Sequence, residues 1–193
     1  HPTDIERIFI SHFHADHIAG LKDFPKAQLI ATSDELSKYR KLGRLSQLRR
    51  AFLPGLLPVD FEDRLLCVEA CKSAALPADW PPFSKAYDLL DDRSILGINL
   101  PGHAASQMGL IFKDDTRRLI FFIGDACWKI EAINDSRLPS RLAYLLFHNA
   151  TQYNETFEYL KQLHGSKDKI EIIPSHCLST WRRLGNTKKV IRD

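Results

Sequence analysis

The sequence has few cysteines, no long apolar run and little net charge, and each shortage excludes a class of protein. Four cysteines in 193 residues are too few for a disulfide framework, which predicts a reduced, cytoplasmic compartment. No apolar run reaches membrane-spanning length, and Leu119 to Gly124 is only as long as a strand, so no membrane-spanning segment is expected. A formal charge of +3 is too small to favour a nucleic-acid partner.

The pair Cys67-x₃-Cys71 lacks a second pair at metal-binding spacing, and we interpret both as core or surface thiols. Length and composition, with 44% hydrophobic and 26% charged residues, fit one globular domain with its own core. The chain starts at His1 and not at methionine. We therefore expect a processed or N-terminally incomplete chain, in which any signal peptide would lie in the missing part.

The most informative feature is the run His12-Phe13-His14-Ala15-Asp16-His17, which places four metal-capable side chains within six residues. Neutral imidazole and carboxylate are ligands that suit Zn²⁺, with Fe and Mn as alternatives. The preceding residues Ile5 to Ile10 are largely β-branched or aromatic, which predicts a buried strand. The cluster then lies at the carboxyl end of a strand, where a turn can direct side chains into one pocket. This arrangement suits two adjacent metals.

Three further polar residues, His103, Asp125 and His176, each follow an apolar run that predicts a strand. A single histidine or aspartate at such a position is usually a turn residue. Side chains at the ends of several strands on one rim of a sheet converge in space, however far apart they are in sequence. The sequence therefore predicts one site that combines these residues with the first cluster.

We predict that residues 33–90 form an inserted region within the domain, with a helix and a lid. Thr32 and Glu35 have capping-box spacing, and a helix is expected from about Ser33 to Ala51. Its leucines at 42, 45 and 48 share one face, and basic residues fill the others, as in an amphipathic helix with a solvated face. The alternative is that the basic residues between Lys38 and Arg50 form a surface for an anionic ligand.

Two apolar segments are candidates for the wall of a substrate pocket. Residues 52–58 contain two prolines and a glycine, which exclude a regular helix or a central strand, and residues 80–83 are Trp-Pro-Pro-Phe. The candidate substrate-binding residues here are Phe52, Leu53, Leu56 and Trp80. Packing of both segments against the core is the alternative interpretation.

The remaining pattern alternates strands with helices. Further strands are predicted at 27–32, 64–69, 94–100, 108–113, 118–123 and 170–173. Helices are predicted at 139–148 and 154–164 and from 180 onward.

Four landmarks occur in the order typical of the metallo-β-lactamase superfamily, which the chain resembles over nearly its whole length. They are His-x-His-x-Asp-His at 12–17, Gly102-His103, Gly124-Asp125 and His176. The resemblance implies an α/β fold, an αββα sandwich with two metals at one edge. The whole of 1–193 would form a single domain of this kind that lacks most of the family's N-terminal strands.

The resemblance also implies a ligand for each metal position. His12, His14 and His103 would hold the first of two divalent ions, and Asp16, His17 and His176 the second. Asp125 would bridge them. The implied chemistry is hydrolysis by a hydroxide shared between the two cations, preferably zinc, with Asp16 also passing a proton to the leaving group.

Within the superfamily, the segment from Tyr87 to Leu110 resembles the branch of acyl-homoserine lactonases and related esterases. The expected activity is cleavage of a small-molecule ester or lactone with an apolar acyl portion. Those lactonases commonly place Tyr three residues after the bridging Asp, where this chain has Trp128. We take Trp128 as a candidate substrate donor, and its different reach argues against an acyl-homoserine lactone as the substrate.

Three alternative functions remain open. A phosphodiesterase or nuclease could use the basic helix, although the mild charge and the apolar segments argue against it. A glyoxalase-II-like thioesterase should carry a C-terminal helical domain, and only residues 177–193 follow His176. A non-catalytic metal-binding or ligand-binding protein on a decayed hydrolase fold would be expected to have lost metal ligands first, and all seven are present. The oligomeric state is also open, and a homodimer is compatible with the sequence.

Overall fold

The chain folds into two sheets flanked by helices, as seen in a computed structural model that describes residues 1–76, 80, 83, 86–166 and 170–187. The strands in these residues are β1 (Arg7–Phe9), β2 (Gln28–Ala31), β3 (Leu65–Cys67), β4 (Lys72–Ser73), β5 (Ala86–Asp88), β6 (Ile95–Asn99), β7 (Met108–Lys113), β8 (Leu119–Gly124) and β9 (Ile170–Pro174). The α-helices are α1 (Ala15–Ile18), α2 (Ser33–Arg40), α3 (Arg44–Arg49), α4 (Ile130–Asn134), α5 (Ala150–Ser166) and α6 (Leu178–Thr187).

The two sheets differ in strand direction. The first sheet has the order β1-β2-β3, and all its strands are parallel. The second sheet has the order β4-β5-β6-β7-β8-β9, and its neighbours are antiparallel until β8 pairs with β9 in parallel. Four of the five residues from Ile120 to Gly124 are buried, as expected for a central strand covered on both faces.

Three apolar clusters separate four layers. Ile30, Val68, Leu89 and Met108 pack between the two sheets. The outer face of the first sheet packs on side chains that include Ile18 of α1 and Leu36 and Tyr39 of α2. The outer face of the second sheet packs on α4 and α5 through a set that includes Phe121, Ile133, Phe157 and Leu160. Each such buried side chain contributes about 1.5–3 kcal/mol of hydrophobic stabilisation. The layers form the αββα sandwich that the resemblance implied.

The predicted helix at 33–51 is wrong as one element, because the chain forms α2 and α3 with a break at Lys41–Gly43. The predicted capping box does not form either. The Thr32 side chain makes no capping hydrogen bond, and the carboxylate of Glu69 instead accepts from the backbone N–H groups of Ser33 and Asp34. A carboxylate near the first turn of a helix satisfies its free N–H groups and its dipole equally well from another segment.

The leucine face predicted for this helix is not buried. Leu45 is 84% exposed and Leu48 is 63% exposed, so only Leu42 packs on the core of the first sheet. The helix predicted at 139–148 is also wrong: this segment has one 3₁₀ turn, at Ala143–Leu145. Phe147 is buried in the core of the second sheet, but Leu142, Leu145 and Leu146 are exposed, so few side chains supply the packing that stabilises most protein helices. The helix predicted at 154–164 is confirmed as part of α5.

Residues 33–90 contain β3, β4 and β5, which belong to the two sheets. These three strands are therefore part of the sandwich itself. For the other residues of 33–90, the inserted lid stays a prediction. Pro81 and Pro82 of the predicted apolar wall lie outside the described residues. No helix within the described ranges is both long enough and apolar enough to span a bilayer.

Candidate metal centre

All seven predicted ligands meet at one edge of the sandwich, where β1, β6, β8 and β9 end. Their ligand atoms form three overlapping groups in which all atoms lie within 4.8 Å of one another. The groups are His12 with His14 and His103, His12 with His17 and Asp125, and Asp16 with His17 and His176. The shared members join the groups into one continuous cluster.

A sharp change in backbone direction brings the first four side chains together. His14 is the N-cap of α1 and is extended, with φ −67° and ψ 150°, and the helix begins at Ala15. Asp16 and His17 therefore lie on the first helical turn, whereas His12 and His14 come from the extended segment before it. The N–H of Ala15 donates to the carbonyl of Ala51 over 2.8 Å, which anchors the turn.

Two glycines allow the chain to approach the site closely. Gly102, before His103, has φ +129°, and a Cβ there would lie 2.2 Å from the backbone nitrogen of Tyr153. Gly124, before Asp125, has φ +55°, and a Cβ there would lie 3.3 Å from Cβ of Ser11. Both positions use backbone conformations that favour glycine.

Several polar atoms of the cluster are buried without a hydrogen-bond partner. They include Nε2 of His12, Nε2 of His17 and Oδ1 of Asp125. Ser11 Oγ lies 3.1 Å from Nδ1 of His12 and 3.4 Å from Nδ1 of His17, so one hydroxyl faces the other nitrogen of both rings. Buried polar atoms without partners are costly, and a cation among them would satisfy all three. These residues therefore fit a bound metal.

The imidazoles of the first group are neutral at neutral pH. Nδ1 of His14 lies 3.0 Å from Nε2 of His103. Burial lowers the pKa of each of these rings to about 4, although the Asp125 carboxylate opposes the shift. Burial, together with the neighbouring histidines, also lowers the pKa of His12 well below its ordinary value. Neutral imidazole is the form that binds a metal, so this group needs no proton release before binding.

Asp125 lies between the two ends of the cluster. Its Oδ1 is 3.3 Å from Nε2 of His17, and its Oδ2 is 3.4 Å from Nε2 of both His103 and His176. Burial by itself would raise the pKa of Asp125. The contact with His17 and the charges of the nearby histidines lower the pKa by more than burial raises it, so it lies below its ordinary value. An ionised carboxylate in this position suits a bridging ligand, which stays a prediction.

The other carboxylate, Asp16, occupies the open side of the cluster. Its side chain is 59% exposed, and its Oδ2 lies 3.6 Å from Nε2 of His17 and 3.4 Å from Nε2 of His176. Burial lowers the pKa of His17, but Asp125 and Asp16 raise it more, so that it lies above its ordinary value. A carboxylate that touches both the cluster and solvent could pass a proton outward, as predicted for Asp16.

The cluster opens into a cavity of about 400 Å³. Five of the seven candidate ligands line it, and the other lining residues are Arg49, Ala51, Trp128, Lys129 and Leu146. The indole Nε1 of Trp128 donates to Oδ2 of Asp125 over 3.1 Å, so its N–H faces the predicted bridging ligand. No local motif distinguishes Ala51, Lys129 or Leu146, so the sequence does not predict them at the site.

The other predicted substrate-binding residues do not line this cavity. Phe52 is fully buried against Phe13 and Tyr39, and Trp80 is buried against Phe121. Leu56 packs on the core of the first sheet, and Leu53 is 41% exposed. For Phe52, Leu56 and Trp80 the structure corresponds to the alternative interpretation, packing against the core, because aromatic and aliphatic side chains gain most from complete burial.

Comparison with known proteins identifies one family. A sequence model described as the metallo-beta-lactamase superfamily matches residues 1–176. The chain is 25% identical over 170 residues to the N-acyl homoserine lactonase AiiB of Agrobacterium fabrum, a match that covers 86% of this chain and 55% of AiiB. AiiB of Rhizobium rhizogenes gives the same values. The chain thus spans about half the length of these curated relatives.

Solved structures share the fold. A variant of B. thuringiensis AiiA with N-decanoyl-L-homoserine at its active site has a TM-score of 0.63 and 17% identity, over 94% of this chain and 60% of AiiA. AidC, described as a dizinc quorum-quenching lactonase, has a TM-score of 0.61 and 17% identity, over 92% of this chain and 59% of AidC. At these identities the similarity establishes the architecture alone.

Proposed function

The chain belongs to the metallo-beta-lactamase superfamily, and from this premise we propose that it provides the dinuclear metal centre of a hydrolase. The observation that carries the proposal is the convergence of seven imidazole and carboxylate side chains, four of which have a buried nitrogen or oxygen atom without a hydrogen-bond partner. In the proposal, His12, His14 and His103 hold one ion, Asp16, His17 and His176 hold the other, and Asp125 contacts both.

Two divalent cations in such a centre supply an acidified water near neutral pH and a charge that polarises a carbonyl or phosphoryl oxygen. The residues of the chain position this chemistry. Ser11 orients His12 and His17 through their Nδ1 atoms, and Trp128 orients Asp125 through its Oδ2. Asp16, with its exposed side chain, is suited to carry the proton to the leaving group.

We further propose a carboxylic ester or lactone as the substrate. Ala51, Leu146 and Trp128 give the cavity an apolar surface beside the ligands, which suits an apolar acyl portion. The curated relatives are named N-acyl homoserine lactonases, which supports the same bond type. The Trp128 N–H is engaged by Asp125 and not directed at an incoming carbonyl, so this residue offers no support for an acyl-homoserine lactone in particular.

Zinc analysis and a substrate panel test the proposal. The purified chain should bind about two zinc ions by elemental analysis, and a chelator should abolish its hydrolysis of aryl esters and lactones. His176→Ala should lose about one zinc ion. The control is His164→Ala, which removes a histidine that contacts Asn134 and is not one of the candidate ligands. A metal-free sample that retains full esterase activity would contradict the proposal.

The same panel separates the alternatives. Faster turnover of bis-para-nitrophenyl phosphate than of lactones would indicate a phosphodiesterase. Preference for a thioester would indicate the glyoxalase-II-like activity. Two tightly bound zinc ions without turnover of any substrate would favour the non-catalytic metal-binding protein.

A further inference from the structure

We propose that the substrate carries an anionic oxyacid group, a carboxylate or a phosphate, which Arg49 and Lys129 bind in the cavity beside the metal ligands. This inference rests on the proposed function, since it specifies the substrate of the same site. It also selects, among the basic residues between Lys38 and Arg50, the one that reaches the site.

Two cations from distant parts of the chain line one cavity. Arg49 is the last residue of α3, and Lys129 follows β8 four residues after Asp125. Both side chains belong to the lining of the cavity that contains His14, His103 and Asp125. Local sequence does not bring them together, because one lies on the side of the first sheet and the other at the end of the second.

Three of the other basic side chains between Lys38 and Arg50 have partners. Lys38 forms an ion pair with Asp34 over 2.6 Å, and Arg40 pairs with Glu62. Arg50 donates to the carbonyl of Phe147 over 3.3 Å. These contacts engage three cations, and none of the three lines the cavity, which makes them poorer candidates for binding a ligand there.

Arg49 and Lys129 are both exposed and form no ion pair with any residue in the described ranges. The two acids of the cavity, Asp16 and Asp125, contact histidines and not these cations. Unpaired cations in a concave site raise the local concentration of anions and steer them inward. Arginine also offers a planar fork of donors that matches a carboxylate or a phosphate.

The remaining lining of the cavity is apolar. Ala51, Trp128 and Leu146 share the cavity with the cations and the metal ligands. A molecule whose reactive bond lies at the ligands, with a short apolar spacer and an anionic end, would match all three kinds of lining. Neutral acyl-homoserine lactones lack such an end.

A matched pair of esters tests this inference in the zinc-loaded chain. The para-nitrophenyl monoester of glutaric acid carries a terminal carboxylate, and para-nitrophenyl pentanoate is its neutral counterpart of equal length. The ratio of kcat/KM for the anionic ester to that for the neutral ester should fall about threefold to tenfold in Arg49→Gln and in Lys129→Gln. It should fall further in the double variant.

Arg44→Gln is the matched control, because Arg44 is an exposed cation of the same helix that does not line the cavity. This variant should keep the wild-type ratio. A ratio that is unchanged in the double variant, or that falls equally in Arg44→Gln, would overturn the inference and leave the proposed function standing.

Calorimetry separates binding from hydrolysis. Glutaranilic acid, the amide analogue of the anionic ester, should bind the wild type more tightly than the double variant by a similar factor. Its phosphonate counterpart distinguishes a preference for carboxylate from one for phosphate. If neither ester is hydrolysed while the binding difference persists, ester hydrolysis fails and the anion site stands. Equal binding by wild type and double variant overturns the anion site.

Discussion

Trp128 donates its indole N–H to Oδ2 of Asp125 over 3.1 Å, which couples an aromatic side chain of the cavity wall to the predicted bridging ligand. The same ring lies edge-on to His103 and Phe147, with ring centroids 6.0 Å and 5.6 Å away. Packing on both neighbours restricts the ring, and the hydrogen bond in turn restricts the carboxylate. Trp128 is therefore a positioning residue for Asp125 in the proposed centre.

We predict that Trp128→Phe weakens zinc binding about tenfold, because hydrogen bonds to a ligand orient it for the metal. Competition with a chromophoric chelator measures the effect. Tyr144→Phe is the control: it removes a donor from the same aromatic cluster, one that bonds Asn154 and no ligand. Equal zinc affinity in Trp128→Phe and wild type would show that this hydrogen bond does not support the centre.

Glu35 should make stability fall as the pH rises. This side chain is fully buried, and neither carboxylate oxygen has a hydrogen-bond partner. Burial raises its pKa from 4.5 to about 7, against the opposing influence of Tyr39 and of the backbone at Ala105 and Phe13. Between these pH values the native state holds a proton that the unfolded state releases, so stability decreases as the pH rises through this range.

Glu35→Gln removes this slope. Relative to wild type, the metal-free variant should gain about 3 kcal/mol in free energy of unfolding between pH 4.5 and pH 8. Urea denaturation at the two pH values measures it. Glu155→Gln, which alters an exposed carboxyl group on α5, should show no such gain. If the difference in free energy of unfolding between Glu35→Gln and wild type were the same at both pH values, Glu35 could not be a buried, protonated group.

Without metal, the buried histidines should destabilise the protein in acid. The pKa of His103 is lowered from 6.5 to about 4 by burial. Between those values the unfolded chain binds a proton that the native state excludes, so stability is lost as the pH falls.

His103→Asn should reduce the loss of metal-free stability between pH 7 and pH 5 by about 2 kcal/mol. Denaturation curves at both pH values, with His164→Asn as control, provide the measurement. An acid response in His103→Asn identical to that of wild type would be inconsistent with this ring being buried and neutral.

Gly102 should tolerate no side chain. Its φ of +129° and the 2.2 Å approach of a Cβ to the backbone of Tyr153 mean that Gly102→Ala must displace either the His103 loop or α5. The expected cost exceeds about 3 kcal/mol. Gly165→Ala, with open space around a helical glycine, should instead stabilise by up to about 1 kcal/mol. Urea denaturation gives the free energy of unfolding of both variants. Similar changes in the two variants would contradict the close approach of Gly102 to the backbone of Tyr153.

Sequence alone predicted the apolar strands and, through the resemblance to the superfamily, the set of candidate ligands. The strands predicted at 94–100, 108–113 and 118–123 correspond to β6, β7 and β8, because apolar runs this short and rich in β-branched or aromatic residues are typical of buried strands. The seven ligands converge because each follows a strand or a turn at the same edge. These features depend on residues that are neighbours in the chain, and local pattern is enough to find them.

Only the tertiary structure determined the rest. Glu69 replaces the predicted cap of α2 from 36 residues away, and Trp128 bonds Asp125 where a substrate contact was predicted. Glu35, predicted as a capping residue, is buried beside Tyr39 and the backbone of Phe13 and Ala105, and Arg49 and Lys129 share a cavity. Each of these contacts depends on how separate elements cross, and that is decided by the packing of whole layers and not by the residues on either side. The motif at 12–17 thus indicated metal chemistry, while the packed sandwich determined what surrounds it.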